Sequence, residues 1–260
     1  MDNTIVKNSN FLSLREMFNL EKNFNIIAGP CAVESVSQME QIAEVLVKNQ
    51  IKILRGGAYK PRSSPYDFQG LGIEALKILN HIKNKYNLII VSEIMDPRDI
   101  DICLEYIDVI QIGSRNMQNY SLLKEIGKIS KPILLKRGMM STVSEFLLAA
   151  EYILLGGNSK VIACERGIRT FENSTRNTLD ISCIAIIKNE TKLPIIADLS
   201  HSLGRTDIIP LVFKAVKAMD IDGVMIEVHP NPPNAKSDST QQMALDEFQL
   251  LINKVNTMES

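Results

Sequence analysis

Eight short apolar runs, each followed by a stretch of helical periodicity, set the strongest constraint on how this chain can fold. The runs are Asn25–Ala28, Ile51–Leu54, Leu88–Ser92, Val109–Ile112, Ile133–Lys136, Lys160–Ala163, Ile195–Ala197 and Gly223–Val228. They are rich in Ile, Val and Leu and lack a polar alternation, as strands covered on both faces do. The helical patterns are Ser37–Asn49, Ile73–Tyr86, Pro97–Tyr106, Tyr120–Ile129, Thr142–Leu155, Thr175–Asn189, Asp207–Met219 and Leu245–Val255. Asp96 followed by Pro97 starts one of them with a cap and a proline at the first helical position. Gly156-Gly157 ends another. Eight strand–helix units predict the α/β class and a (β/α)8 TIM barrel. A doubly wound open sheet is the alternative. The count of eight and the lack of a dinucleotide glycine fingerprint favour the barrel. Residues 1–24 are polar except for the amphipathic Phe11–Phe18 and are expected to form an N-terminal arm. Residues 25–260 are expected to form a single catalytic barrel.

Composition narrows the function. The net charge of -1 gives no bulk field for nucleic acid or an anionic membrane, so any cation cluster must be local. No apolar run approaches the roughly 20 residues of a membrane span. The first residues lack the apolar core of a signal peptide. Cys31, Cys103, Cys164 and Cys183 are too sparse for a disulfide scaffold, and the cytoplasm is the expected compartment. Cys103 and Cys183 read as helix core, Cys164 carries no assigned chemistry, and His81 reads as a surface residue.

In a barrel of this kind chemistry gathers at the C-terminal ends of the strands. There the sequence places Cys31, Arg55, Glu93, Arg115, Lys136, Arg166, His201 and Glu227, with Asp238 shortly after the last strand. One charged side chain in a turn is ordinary. A full ring of them is not, because burying such groups costs several kcal/mol each unless they are paired or ligated. The loop after the second strand, Arg55-Gly-Gly-Ala-Tyr-Lys60-Pro61-Arg62-Ser63, adds three cations and a hydroxyl, a combination suited to phosphate. Arg55, Lys60, Arg62, Arg115, Lys136 and Arg166 exceed the needs of one phosphate and imply two anionic groups. Cys31, His201, Glu227 and Asp238 come from strands one, seven and eight, which are neighbours in a closed barrel. A thiolate, an imidazole and two carboxylates suit Mn, Fe, Co or Zn better than Mg. Taken singly each has an ordinary reading: Cys31 as a small buried residue, His201 as an imidazole held by Asp198, Glu227 as a partner of a barrel cation, Asp238 as a loop acid. His229 is undecided.

These motifs resemble a family. Gly29-Pro30-Cys31-Ala-Val-Glu34-Ser35, the Arg55–Ser64 loop, Lys136-Arg-Gly138, Cys164-Glu-Arg166-Gly-Ile-Arg169, Asp198-Leu-Ser-His201 and Glu227-Val-His-Pro are similar to those of the short, microbial 3-deoxy-D-arabino-heptulosonate 7-phosphate (DAHP) synthases. The resemblance covers roughly residues 20–255. It implies condensation of phosphoenolpyruvate with erythrose 4-phosphate and release of phosphate, the first step towards the aromatic amino acids. It also implies a homotetramer, and the short arm leaves no room for the regulatory or chorismate mutase domain that some members carry. The sister family, 3-deoxy-D-manno-octulosonate 8-phosphate synthase, shares the core and uses arabinose 5-phosphate. Its loop typically reads Lys-Ala-Asn-Arg-Ser where this chain has Lys60-Pro61-Arg62-Ser63, and some members replace the residue at Cys31 by Asn and work without metal. By resemblance, Arg115, Lys136 and Arg166, with Arg55 and Lys60, hold phosphoenolpyruvate. Pro61, Arg62 and Ser63 serve the sugar phosphate, Cys31, His201, Glu227 and Asp238 hold the metal, and Glu93 and Lys136 are candidates for placing water and moving protons. The chain departs from many relatives in having Ser239, not Gly, after Asp238. Two other readings stand beside this one: a metal-dependent barrel aldolase with Lys136 as a Schiff-base lysine, and a non-catalytic phosphosugar sensor.

Overall fold

The computed structural model describes residues 4–62 and 64–256. Eight parallel strands, β1 (Asn25–Gly29), β2 (Ile53–Arg55), β3 (Ile89–Glu93), β4 (Val109–Ile112), β5 (Ile133–Lys136), β6 (Val161–Glu165), β7 (Ile195–Asp198) and β8 (Gly223–His229), pair in sequence order, and β8 returns to pair with β1. The sheet is therefore closed, which excludes the open doubly wound alternative. A two-residue β9 (Met243–Ala244) adds to β8. The helices are α1 (Ile5–Asn8), α2 (Leu14–Phe18), α3 (Val36–Lys48), α4 (Ile73–Tyr86), α5 (Ile100–Tyr106), α6 (Tyr120–Ile126), α7 (Val143–Leu155), α8 (Ile181–Glu190), α9 (Leu199–Leu203), α10 (Ile209–Lys217) and α11 (Leu245–Asn256). Among the described residues no helix is long and apolar enough to cross a membrane.

Local chemistry explains where most helices begin. Thr142 and Glu145 form a capping box at α7, and the Ser35 and Asn119 side chains accept from the first turns of α3 and α6. The expected helix over Thr175–Asn189 begins only at Ile181. Asp180 caps it through Cys183 N, and residues before it pair their backbone elsewhere. Ile168 bridges Thr178 antiparallel, while Arg176 N and Asn177 N donate to the carbonyls of Leu203 and Ser202. The expected Pro97–Tyr106 helix opens with a single tight turn, Pro97–Asp99, before α5. Neither α9 nor β9 is foreseen in the sequence.

Two apolar layers make the core. Most of the buried residues lie between the strands and the surrounding helices. A second cluster fills the barrel itself: Ile27, Ile53, Val91, Val109, Leu134, Ile162, Cys164, Ile196 and Met225. Leu14 of α2 joins this inner cluster with no exposed surface, and Met17, Phe18 and Leu20 pack against it. The arm is thus a plug in the barrel. Its first helix is tied down as well, since Ile5 N and Val6 N donate to the Glu151 carboxylate of α7 at 2.8 and 3.0 Å.

The strand period of two turns this inner layer into the floor of a site. Two residues beyond each inner side chain stands another pointing the same way: Arg55 after Ile53, Glu93 after Val91, Gln111 after Val109, Lys136 after Leu134, Asp198 after Ile196 and Glu227 after Met225. All six are buried. The register sets Glu93 beside Gln111, Lys136 beside Cys164 and Glu227 beside Gly29.

Candidate active site and metal centre

The cavity over this floor has a volume of about 170 Å³. Arg55, Lys60, Pro61, Arg62, Glu93, Arg115, Lys136, Arg166, His201 and Asp238 all line it. Cys31 and Glu227 lie buried beside it. Ser63 lies outside the described residues. His229, left undecided by the sequence, faces away: its Nδ1 accepts from Asn231 N at 2.9 Å and its Nε2 lies 3.7 Å from Glu34 Oε1.

Four donor side chains converge at one corner. The donor atoms of Cys31, Glu227 and Asp238 lie within 4.8 Å of one another. Cys31 Sγ donates to Asp238 Oδ2 at 3.2 Å, and His201 Nε2 stands 3.5 Å from Glu227 Oε1 and 3.9 Å from Asp238 Oδ2. The local fold holds each in place. His201 sits in the single-turn helix α9, whose N-cap is Asp198, and Glu227 N donates to Ser200 Oγ in the same turn. Asp238 has φ +47°, a left-handed conformation that Asp tolerates better than most residues and that collects at functional sites. Burial and the Glu227 charge push the Cys31 thiol up to about 12. Burial works against the Asp238 carboxylate, yet Arg176, His201 and Lys60 hold it below its ordinary range. Glu227 is likewise held low against burial by His201, Arg55 and Lys60. A thiol, an imidazole and two ionised carboxylates, all convergent and largely dehydrated, fit a single divalent ion, which would take the place of the thiol proton.

Most of the charged lining is cationic. Lys136 pairs with Asp198, and Arg55 with Glu227, all four buried. Burial disfavours the charge on Lys60, but Cys31, Glu93 and Glu227 around it hold its pKa above the ordinary value. Burial lowers that of Arg166. Glu93 accepts from Gln111 Nε2 through Oε2, while Oε1 is buried without a hydrogen-bond partner among the described residues.

Two contributors, Gln241 and Arg176, escape the sequence reading, and Asp198, read there as a partner of His201, gains a second in Lys136. Gln241 donates to Glu227 Oε2 at 2.5 Å and to Asp238 Oδ2 at 3.3 Å, tying two of the donors together. Arg176 lines the cavity 3.4 Å from Asp238. Arg176 was hidden inside a stretch read as helix.

A floor of paired charges, a cationic lining and a four-donor corner thus meet at the strand ends of one TIM barrel. The family model described as the DAHP synthetase I family matches residues 5–260. The chain belongs to that family. It is 49% identical over 235 residues to a phospho-2-dehydro-3-deoxyheptonate aldolase of Thermotoga maritima, covering 90% of this chain and 70% of the relative. The crystal structure of the Thermotoga maritima DAHP synthase superposes with a TM-score of 0.87 at 48% identity, over 90% of this chain and 69% of that one. A truncated form of the Thermotoga maritima 3-deoxy-D-arabino-heptulosonate 7-phosphate synthase gives 0.84 at 47% identity, over 90% and 86%. A 2-dehydro-3-deoxyphosphooctonate aldolase of Francisella tularensis is more distant, 29% identical over 84% of each chain. Members of the DAHP synthetase family are generally metal-dependent, in keeping with the donor corner described above.

Proposed function

We propose that this chain condenses phosphoenolpyruvate with D-erythrose 4-phosphate to DAHP and inorganic phosphate in this cavity. The observation that carries the reading is the meeting of two sets of side chains: six cations, from Arg55 to Arg166, line one cavity with His201 and Asp238, and the Cys31 and Glu227 donors lie buried beside it. Two mutually repelling phosphorylated anions need fixed positive charge to approach each other. A binding protein for one sugar phosphate would need neither so many cations nor a metal corner.

Lys136, Arg166 and Arg115 hold phosphoenolpyruvate, with Lys60 and Arg55 on its other side. Pro61, Arg62 and Ser63 serve the sugar phosphate. Cys31, His201, Glu227 and Asp238 would hold the ion, one of Mn, Fe, Co or Zn, and when bound it would supply Lewis-acid polarisation of the aldehyde. C3 of phosphoenolpyruvate bonds to the aldehyde carbon, water adds at C2, and the C2–O bond to phosphate breaks. Glu93 Oε1, buried and without a hydrogen-bond partner among the described residues, accepts a hydrogen bond from that water in this reading. Lys136 is held by its buried ion pair with Asp198 and serves as a fixed partner for the substrate anion, and that engagement counts against a Schiff-base role. A cytoplasmic homotetramer completes the proposal, and sedimentation equilibrium checks the assembly.

The test measures phosphate release from phosphoenolpyruvate with erythrose 4-phosphate and with arabinose 5-phosphate in parallel. Turnover with the four-carbon sugar, at least tenfold above the five-carbon one, is expected. Preference for arabinose 5-phosphate would move the chain to the octulosonate reaction.

A further inference from the structure

Arg176 is a cation in the cavity without an assigned role. It enters from the segment between β6 and α8 and is held there by its backbone. Arg176 N donates to Leu203 O at 2.9 Å, and Asn177 Nδ2 to His201 O at 2.9 Å. Gly204, at φ +70°, presses against it so closely that a Cβ there would lie 2.4 Å from that of Arg176. The segment is thus fastened to α9, the turn that carries His201. Its guanidinium reaches Asp238 Oδ2 at 3.4 Å, while Arg62 from the opposite rim stands 3.9 Å from Oδ1 of the same carboxylate. Both distances are long for a guanidinium–carboxylate pair, which closes to about 2.8 Å when the donors are satisfied. Nη1 of Arg176 donates to Gln241, but Nε and Nη2 have no hydrogen-bond partner among the described residues. The cavity lining then holds seven lysine or arginine side chains against three carboxylates, Asp67, Glu93 and Asp238. Arg166, deeper in, already feels Arg176 as a repelling neighbour. An anion seated between Arg62 and Arg176 relieves that excess.

We infer that Arg176 is a second arginine for the phosphate of the aldehyde substrate, facing Arg62 across the mouth of the cavity. The inference rests on the proposed condensation. Its side chain is about one-third exposed, whereas Arg55 and Lys136 are nearly wholly buried. That places it at the rim, where the phosphate end of the sugar lies when its aldehyde reaches the metal corner.

The test compares wild type with Arg176→Ala and Arg176→Lys on two aldehydes, erythrose 4-phosphate and unphosphorylated erythrose. Losing a charge-assisted contact lowers kcat/KM by about 10- to 100-fold. That loss is expected for erythrose 4-phosphate with Arg176→Ala, in part with Arg176→Lys, while the KM for phosphoenolpyruvate and kcat/KM for erythrose stay within about twofold of wild type. An equal fall on both aldehydes, a rise confined to the KM for phosphoenolpyruvate, or no change at all would overturn the inference. So would loss of bound metal in step with activity, measured by elemental analysis, since Arg176 would then act through Asp238. Failure of the underlying reaction looks different: wild type itself releases no phosphate with erythrose 4-phosphate.

Discussion

His201 Nδ1 lies 2.8 Å from Asp198 Oδ2, the oxygen that also pairs with Lys136. Asp198 is held well below its ordinary range despite burial, because His201 and Lys136 favour its charge. An ionised acceptor fixes the proton on Nδ1 and leaves the Nε2 lone pair towards Glu227 and Asp238. Asp198→Asn removes that charge without removing the shape. Metal affinity should fall about 10- to 100-fold, read by competition with a chelating dye, with the circular dichroism spectrum unchanged. Unaltered affinity would mean that the imidazole orients without Asp198. Gly113 is a second such position. A Cβ there would lie 2.0 Å from Glu93 Oε1, so Gly113→Ala must push the carboxylate out of place. If Glu93 places the water, kcat should drop by about 10²- to 10⁴-fold with little change in either KM. A loss seen only in KM would remove Glu93 from that role. The residue scale was largely legible in sequence because the period of two fixes which strand-end side chains share the cavity. What sequence could not reveal is pairing: that Asp198 serves two partners, or that Gln241 links two donors, depends on contacts between distant strands.

The eight strands were readable because burial on both faces leaves an unbroken apolar run, and their ends shifted by only one or two residues. The segment from Thr170 to Asp180 was not, because its backbone pairs with α9 and with Ile168, contacts that no local pattern encodes. Arg176 was lost with it. The arm shows the same limit. Phe11–Phe18 is legibly amphipathic, but nothing in the spacing says that its apolar side faces the inside of the barrel. Leu14 lies wholly within that inner cluster, so Leu14→Ala should cost about 2–5 kcal/mol, measured as a shift of the urea midpoint at constant slope. Ser13 completes a capping box with Glu16 but is only half-buried, and Ser13→Ala should cost about 1 kcal/mol. A Leu14→Ala variant no weaker than Ser13→Ala would show that the plug carries no weight in the barrel's stability.

Across the whole molecule the apolar core and the chemistry occupy successive layers of one barrel. The inner cluster from Ile27 to Met225 is complete without any ligand, and the charged floor rests on it. Chelation should therefore abolish turnover yet leave a cooperatively folded protein, unlike a small zinc domain that unfolds without its ion. The ion still binds only the folded chain, since Cys31 and Asp238 are 207 residues apart and meet through the closed sheet. Stability should then rise with free metal as linkage requires, by about 2.7 kcal/mol at a hundredfold excess over Kd. For a domain of this size that corresponds to a Tm increase of roughly 5–11 °C. The measurement is a melting curve of chelated protein titrated with Mn, Co or Zn, alongside Cys31→Ala. Wild type should climb with the logarithm of metal concentration, and Cys31→Ala should stay nearly flat over the same range. Equal climbs in both proteins would mean that the stabilising ion binds elsewhere, and a flat wild-type curve would deny the corner its ion altogether.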